Sequence, residues 1–280
     1  MGMESKIQPA FDISAVHVSR SFLTLPDTND YEVHSVYSSG FNLRAGRYLC
    51  FVGNKNNEQL PFGVILPLYD YQALLTSGLE RGNAMAWDKS SRCLISSNGL
   101  IRLGQGIVYD SRVVSCNLSH SGIRTAVSIL EPYGICSDNA RTDFTLPLFR
   151  AIRDRNRNRI REGVRYYLGR GRGLTPSGDD MLLGMLFINM ACGKGECVLQ
   201  EEVAAQLQEG ITTDISLSNL HAALEGLYCG SLLRFLDAVR CNHREDMHRA
   251  ALAIHQFGHS SGDDMLFGIL FQLKQMDLSV

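Results

Sequence analysis

The chain has little proline where it has most helix-forming sequence. Six of its seven prolines lie at or before Pro147, and of the 133 residues that follow only Pro176 is a proline. The later half is thus nearly free of the residue that breaks helices. Its eight cysteines (50, 93, 116, 136, 192, 197, 229 and 241) include no Cys-x-x-Cys pair. That spacing excludes the usual zinc and disulfide frameworks, and the thiols are read as reduced and mostly buried. Charge of one sign is also lacking: the formal net charge is −2, which gives no global attraction to nucleic acid or to a membrane surface. No apolar run is long enough for a bilayer. The longest, Met181–Cys192, falls short of the roughly 20 residues a span needs. The opening Met-Gly-Met-Glu-Ser-Lys has no apolar stretch, and Lys6 stands where a myristoylation signal wants Ser or Thr. A cytoplasmic protein is expected.

What is present divides at about residue 142. With 280 residues, 45% of them apolar, the chain can build one large or two ordinary domains. Before the division, short β-branched and aromatic runs are bounded by Gly and Asn: 15–20, 32–37, 47–52, 62–66, 93–95, 106–109 and 113–117. They predict a β-rich, barrel-like domain over 1–141. After it the apolar period becomes helical, with helices near 144–168, 179–192, 198–209, 215–226, 230–240, 244–256 and 263–276. The fold class is therefore α+β, with a helical domain over 142–280.

That helical half contains an internal repeat. Ser177-Gly-Asp-Asp-Met-Leu-Leu-Gly-Met-Leu-Phe187 returns 84 positions later as Ser261-Gly-Asp-Asp-Met-Leu-Phe-Gly-Ile-Leu-Phe271, identical at nine of eleven places. Ser and Asp favour a helix start through capping and through the helix dipole. The helices that follow are too apolar to face water, so their polar ends belong where a core opens, which is where pockets form. Neighbouring Asp179 and Asp180 diverge by roughly 100° on a helix, so one Asp of each pair is structural. Gly184 and Gly268 stand four residues after Asp180 and Asp264. Glycine there points to close approach of another backbone, so the helices are expected to cross at these glycines and bring Asp180 and Asp264 around one cleft. Two independently capped core helices, left by an old duplication, account for the same spacing equally well.

The approach to the first copy reads Leu168-Gly-Arg-Gly-Arg-Gly-Leu-Thr-Pro-Ser-Gly-Asp-Asp180. A Gly-rich turn feeding a helix start makes an anion cradle, and Arg grips phosphate or carboxylate. No Lys-Ser/Thr ending follows, so it is not a P-loop, and the two Asp would repel a phosphate unless they met another part of the ligand or a metal ion. A flexible loop is the plain alternative. Nine Arg and no Lys fall in 150–172, opposed only by Asp154 and Glu162. Those from Arg153 to Arg161 read as a solvated face. Between the repeats, Thr212-Thr213-Asp-Ile-Ser216 reads best as an N-cap. His259, in Gly258-His-Ser-Ser-Gly262, stands beside Ser and Asp as acid–base partners do, although a lone loop histidine more often has a structural hydrogen bond. The remaining histidines, among them His243, His248 and His255, form no metal-ligand pattern.

These three blocks resemble a bacterial family long listed as of unknown function, whose better-known member is the AllH-type subunit of oxamate carbamoyltransferase. The blocks run Leu-Gly-x-Gly-x-Gly-Leu-Thr-Pro-Ser-x-Asp-Asp, then Thr-Thr with a following Ser, then Gly-His-Thr/Ser-Ser-Gly-x-Asp. All occur here in order, with Ile101-Arg-Leu-Gly104 as a weaker fourth, and the first 90 residues match little. Ser260 replaces the common Thr and keeps the hydroxyl. The resemblance implies a subunit that works with two others, one similar to acyl-CoA synthetase subunits, to interconvert oxalurate plus phosphate with oxamate plus carbamoyl phosphate. It implies Gly171, Gly173, Thr175, Ser177, Asp179 and Asp180, then Thr212, Thr213 and Ser216, then His259, Ser261, Gly262 and Asp264 as site residues. Asp264 outranks Asp263, and by repeat symmetry Asp180 outranks Asp179. On this reading the backbone N–H groups of Gly171 to Gly178 and of Gly262, with Arg172, would hold phosphate and the developing oxyanion, and Asp180, Asp264 or His259 would handle the nitrogen. No cofactor is expected, although Mg²⁺ is possible. Two other classes stay open: a Mg²⁺-dependent hydrolase of a small ureide or phosphate compound, with Asp180 and Asp264 as ligands, and a noncatalytic binding or scaffold subunit.

Overall fold

The computed structural model describes residues 10–54, 58–133, 145–193 and 198–277. The expected boundary at 141–142, residue 144 of the expected first helix, Cys136 and Cys197 lie outside them. The chain forms two compact units, residues 1–111 and 112–280.

The first unit is a curled, half-barrel sheet of ten strands: β1 (Phe11–Ser14), β2 (His17–Ser19), β3 (Thr28–Val36), β4 (Gly40–Ala45), β5 (Tyr48–Asn54), β6 (Val64–Leu66), β7 (Ala84–Asp88), β8 (Cys93–Ile95), β9 (Gly99–Arg102) and β10 (Ile107–Tyr109). Two helices accompany it, α1 (Arg20–Leu23) and α2 (Leu68–Thr76). The order β1-β9-β8-β7-β3-β4-β5-β6-β2-β10 leaves β1 and β10 as edges, with no pairing among the described residues to close the sheet into a barrel. Hairpin neighbours β3–β4–β5 and β7–β8–β9 pair antiparallel, while β1–β9, β5–β6 and β2–β10 pair parallel. Val33, Phe41, Leu43, Val52, Leu94 and Ile101 are fully buried along these strands, and Trp87 meets Phe22 edge-on with ring centroids 5.4 Å apart.

The second unit is helical: α3 (His120–Leu130), α4 (Thr145–Arg153), α5 (Arg157–Tyr167), α6 (Ser177–Ala191), α7 (Val198–Gln206), α8 (Asp214–Leu224), α9 (Gly230–Arg240), α10 (Arg244–His255) and α11 (Ser261–Asp277), with a 3-10 turn over Glu131–Tyr133. α6 is the central element, buried along its whole length except at Asn189 and Met190. α11 lies against it. A Cβ on Gly184 would stand 2.2 Å from the Met265 carbonyl oxygen, and one on Gly268 would stand 2.1 Å from that of Met181. Each glycine thus admits the other helix's backbone, one residue past that helix's second Asp, and the crossing is reciprocal.

Three expectations need correction. The strand over 113–117 is absent: the segment makes single contacts instead, Val113 N–H to the Gly226 carbonyl at 2.8 Å and Cys116 N–H to the Ala191 carbonyl at 2.7 Å. The helix over 144–168 is two helices. Arg155 has φ +52, and Asn156 caps α5 by accepting from Arg159 N–H at 3.2 Å. The arginine-rich sequence sustains helix propensity across that break, and neither Gly nor Pro marks it. Nor is the arginine face wholly solvated. Arg157 Nη1 and Arg161 Nε donate to buried Glu202 at 2.8 and 2.9 Å, tying α5 to α7.

Candidate functional site

α5 stops at Tyr167, and three glycines with left-handed backbone, Gly169 (φ +72), Gly171 (φ +126) and Gly173 (φ +96), carry the chain to Pro176 and into α6. L-residues pay for that conformation and glycine does not. The loop is laid tightly over the helix start. Gly178 N–H donates to the Arg170 carbonyl at 2.9 Å, and a Cβ on Gly178 would reach within 2.1 Å of the Tyr167 carbonyl oxygen. A Cβ on Gly171 would lie 2.6 Å from Ser177 N. The Arg170 guanidinium turns back over the Tyr166 ring, 4.3 Å from its centroid.

Asp179 fastens this loop. One carboxylate oxygen accepts from Gly169 N–H at 2.8 Å, and the other accepts from the Thr212 hydroxyl. Burial raises its pKa, opposed by hydrogen bonds from Thr212, Gly169 and Ser216. The Thr-Thr block therefore has a double use. Thr212 holds Asp179, while Thr213 caps α8 by accepting from Ser216 N–H at 3.1 Å and donates its hydroxyl to the Leu174 carbonyl. Both Asp179 oxygens being engaged inside the protein, this is the structural Asp of its pair.

Asp180 points the other way. It is 4% exposed, and its Oδ2 has no hydrogen-bond partner among the described residues. Beside it Thr175 Oγ1 and Ser261 Oγ lie 2.6 Å apart, joining the first block to the third. Burial pushes the Asp180 pKa well above the ordinary value; the hydroxyls of Ser261 and Thr175 pull it down, and Asp264 and Asp179 add to the rise. Asp264 is fully buried. A helix N-terminus favours a carboxylate by about 0.3–1 kcal/mol, at most ~2, whereas burying an ion with no counter-charge costs several kcal/mol. Burial wins, and the proton stays on Asp180 beyond the ordinary carboxylate range.

The expected residues thus converge unevenly. Gly171, Arg172 and Gly173 are exposed, and among the described residues nothing accepts from their N–H groups. Ser177 is buried at the start of α6. The N–H groups of Gly178 and Gly262 are not free for an anion, since Gly262 donates to the Phe257 carbonyl at 3.0 Å. His259 is exposed on the turn before α11. The second Asp pair carries an interaction the spacing did not signal: Asp263 Oδ1 lies 2.5 Å from Nδ1 of His255 on α10. Histidine eight residues before an Asp is no sequence motif; only the turn between α10 and α11 makes the pair. For a cation the cluster offers two carboxylates, Asp180 and Asp264, and among the described residues no group of three or more His, Cys, Asp or Glu is placed to hold a metal.

The geometry defines a helical unit in which three sequence blocks close around the starts of two crossing helices. A family model described as oxamate carbamoyltransferase subunit AllH matches residues 167–273, a segment that holds all three blocks and runs from the last residue of α5 into α11. The match covers under half of the chain and relates this segment to a transferase-associated subunit. No solved structure matches the chain. Among the described residues no helix is long and apolar enough to cross a membrane.

Proposed function

We propose that the chain is a subunit of a carbamoyltransferase complex that interconverts oxalurate plus phosphate with oxamate plus carbamoyl phosphate, and that its own contribution is to bind a small anionic ligand at the paired starts of α6 and α11. The observation that carries this reading lies inside the matched segment: exposed N–H donors at Gly171–Gly173 that have no acceptor among the described residues, with Arg172, and a buried carboxyl, Asp180, beside the mutually hydrogen-bonded hydroxyls of Thr175 and Ser261. The donors suit the anionic end of such a ligand, and the carboxyl suits its nitrogen end.

In the transfer a phosphate oxygen attacks the ureido carbon of oxalurate, the bond from that carbon to the oxamate nitrogen breaks, and the nitrogen gains a proton. Orientation of the two reactants and stabilisation of the developing oxyanion are what a loop of aligned donors supplies. Asp180, Asp264 and His259 are the groups for the proton. No activated nucleophile stands among the site residues, which fits a component that completes its site against companion subunits. The test is carbamoyl transfer between oxamate and carbamoyl phosphate, measured in both directions. The purified chain alone is expected to be inactive, and activity is expected when the companion subunits are co-expressed. Turnover by the isolated chain would refute the component reading; an inactive full assembly would refute oxamate as the acceptor.

A further inference from the structure

Among the described acidic residues of this unit, Asp180 combines near-complete burial with an unpartnered oxygen. Its Oδ2 has no hydrogen-bond partner among the described residues, and the residue is 4% exposed. The groups that reach it are Thr175 from the loop, Ser261 and Asp264 from α11, and Asp179 from α6. α5 presents the Tyr167 backbone carbonyl to the same helix start, and Thr212 and Thr213, just ahead of α8, spend their hydroxyls on Asp179 and on the loop carbonyl of Leu174. Arg170 is turned onto Tyr166. Among the described residues, two carboxylates and no cation therefore face Asp180. Thr175 and Ser261 are half-buried, so they mark the side from which a ligand reaches the carboxyl.

We propose that Asp180 binds the amide or carbamoyl end of the ligand as a neutral carboxylic acid, donating its O–H to the ligand's carbonyl oxygen and accepting a ligand N–H on its other oxygen. This rests on the functional reading above and deepens it by fixing which end of the ligand goes where. A carboxylic acid carries one donor and one acceptor side by side. That is the complement of –C(=O)NH₂, with which it forms a two-bond ring; a carboxylate or a fully ionised phosphate carries no donor and cannot complete the pair. The anionic end is then left to the N–H groups of Gly171–Gly173 and to Arg172, which are donors only. The raised pKa of Asp180 agrees with this protonation state.

The experiment is isothermal titration of the full chain with oxamate and with oxalate, which are alike in size but differ in that only oxamate has an amide, over a pH series rising from slightly acid to alkaline. Oxamate is expected to bind about tenfold more tightly than oxalate, the scale of one hydrogen-bonded pair, and its affinity is expected to fall as pH rises and Asp180 loses its proton. Asp180→Asn keeps one donor and one acceptor. It should bind oxamate within about threefold of the parent and lose the pH dependence, while Asp180→Ala should lose about tenfold or more. A thermal melt checks the fold of each variant, and the parental pH series and the oxamate–oxalate comparison need no variant at all. The proposal is overturned if Asp180→Asn binds as poorly as Asp180→Ala, if the parent binds oxamate equally well or better as pH rises, or if oxalate matches oxamate. Those results leave the functional reading standing. Failure of the parent to bind oxamate, oxalurate or carbamoyl phosphate at any pH would end that reading and this inference together.

Discussion

Replacing Gly184 by Ala adds one methyl group where α6 and α11 cross. On an isolated helix the change is favourable by about 1 kcal/mol, because glycine is a poor helix former. Here the new Cβ would stand 2.2 Å from the Met265 carbonyl oxygen, and ordinary contact begins at 3.4 Å. α6 and α11 must therefore separate by about 1 Å, and the nearest atoms, of Met265 and Ile269, are all main chain, which cannot rotate aside as a side-chain tip does. Overpacking of this kind costs roughly 1–3 kcal/mol and exceeds the propensity gain. Gly268→Ala meets the Met181 carbonyl at 2.1 Å and should behave alike. For a unit of this size each kcal/mol lowers Tm by about 2–4 °C, so each variant should melt several degrees below the parent. The double variant should lose less than the sum, because one widening of the crossing serves both methyl groups. Thermal and urea melts decide it. Either alanine variant at or above parental stability would refute the backbone crossing, and strict additivity would refute its reciprocity.

Two further predictions concern the polar side chains. Asp179→Ala strands the Gly169 N–H and the Thr212 hydroxyl and should destabilise by about 1–3 kcal/mol in urea titration, whereas Asp180→Asn, which removes a buried acid lacking an Oδ2 partner, should not destabilise. The pKa of Asp180 is raised in the folded state above 3.8, so its contribution is fully present below the unfolded value and is lost as pH rises through the folded one; urea melts of Asp180→Asn should show a smaller loss of stability with rising pH than the parent, and an unchanged slope would contradict the assignment. Arg172 is exposed and has no ion pair among the described residues, so Arg172→Ala should leave the melt unchanged and weaken carbamoyl phosphate binding by about tenfold, the scale of one charge-assisted contact; unchanged affinity in calorimetry would return it to the solvated surface.

Local chemistry made part of this architecture legible in the sequence. The glycines four residues after Asp180 and Asp264 announced the crossing, because a helix interior keeps Gly against Ala only for a reason such as backbone approach. Helix geometry required only that the two carboxyls of each Asp pair diverge, the ranking of Asp180 over Asp179 having come from the resemblance and the repeat, and Thr213 proved to be the cap its residue type suggested. What stayed hidden depends on contacts distant in the chain. Nothing near Gly178 says that its N–H is taken by Arg170, and nothing near Glu202 says that it holds Arg157 and Arg161. The break between α4 and α5 was invisible because its left-handed residue is Arg155 rather than glycine. In the sheet, β1 and β10 are edges because pairings distant in sequence, β1 with β9 and β2 with β10, set the strand order. Short alternating runs cannot tell such an open half-barrel from a closed one.

The central claim is that a small anion is held by the loop entering α6, and amide hydrogen exchange of the purified chain, with and without carbamoyl phosphate, reads it residue by residue. Gly171, Arg172 and Gly173 are exposed and have no acceptor for their N–H groups among the described residues, so without ligand they should exchange near the rate of unstructured chain. Saturating carbamoyl phosphate is expected to slow these three amides, while Gly178 and Gly262, already donating to Arg170 and Phe257, are slow throughout. Calorimetric binding of carbamoyl phosphate with no slowing at residues 171–173 would contradict it.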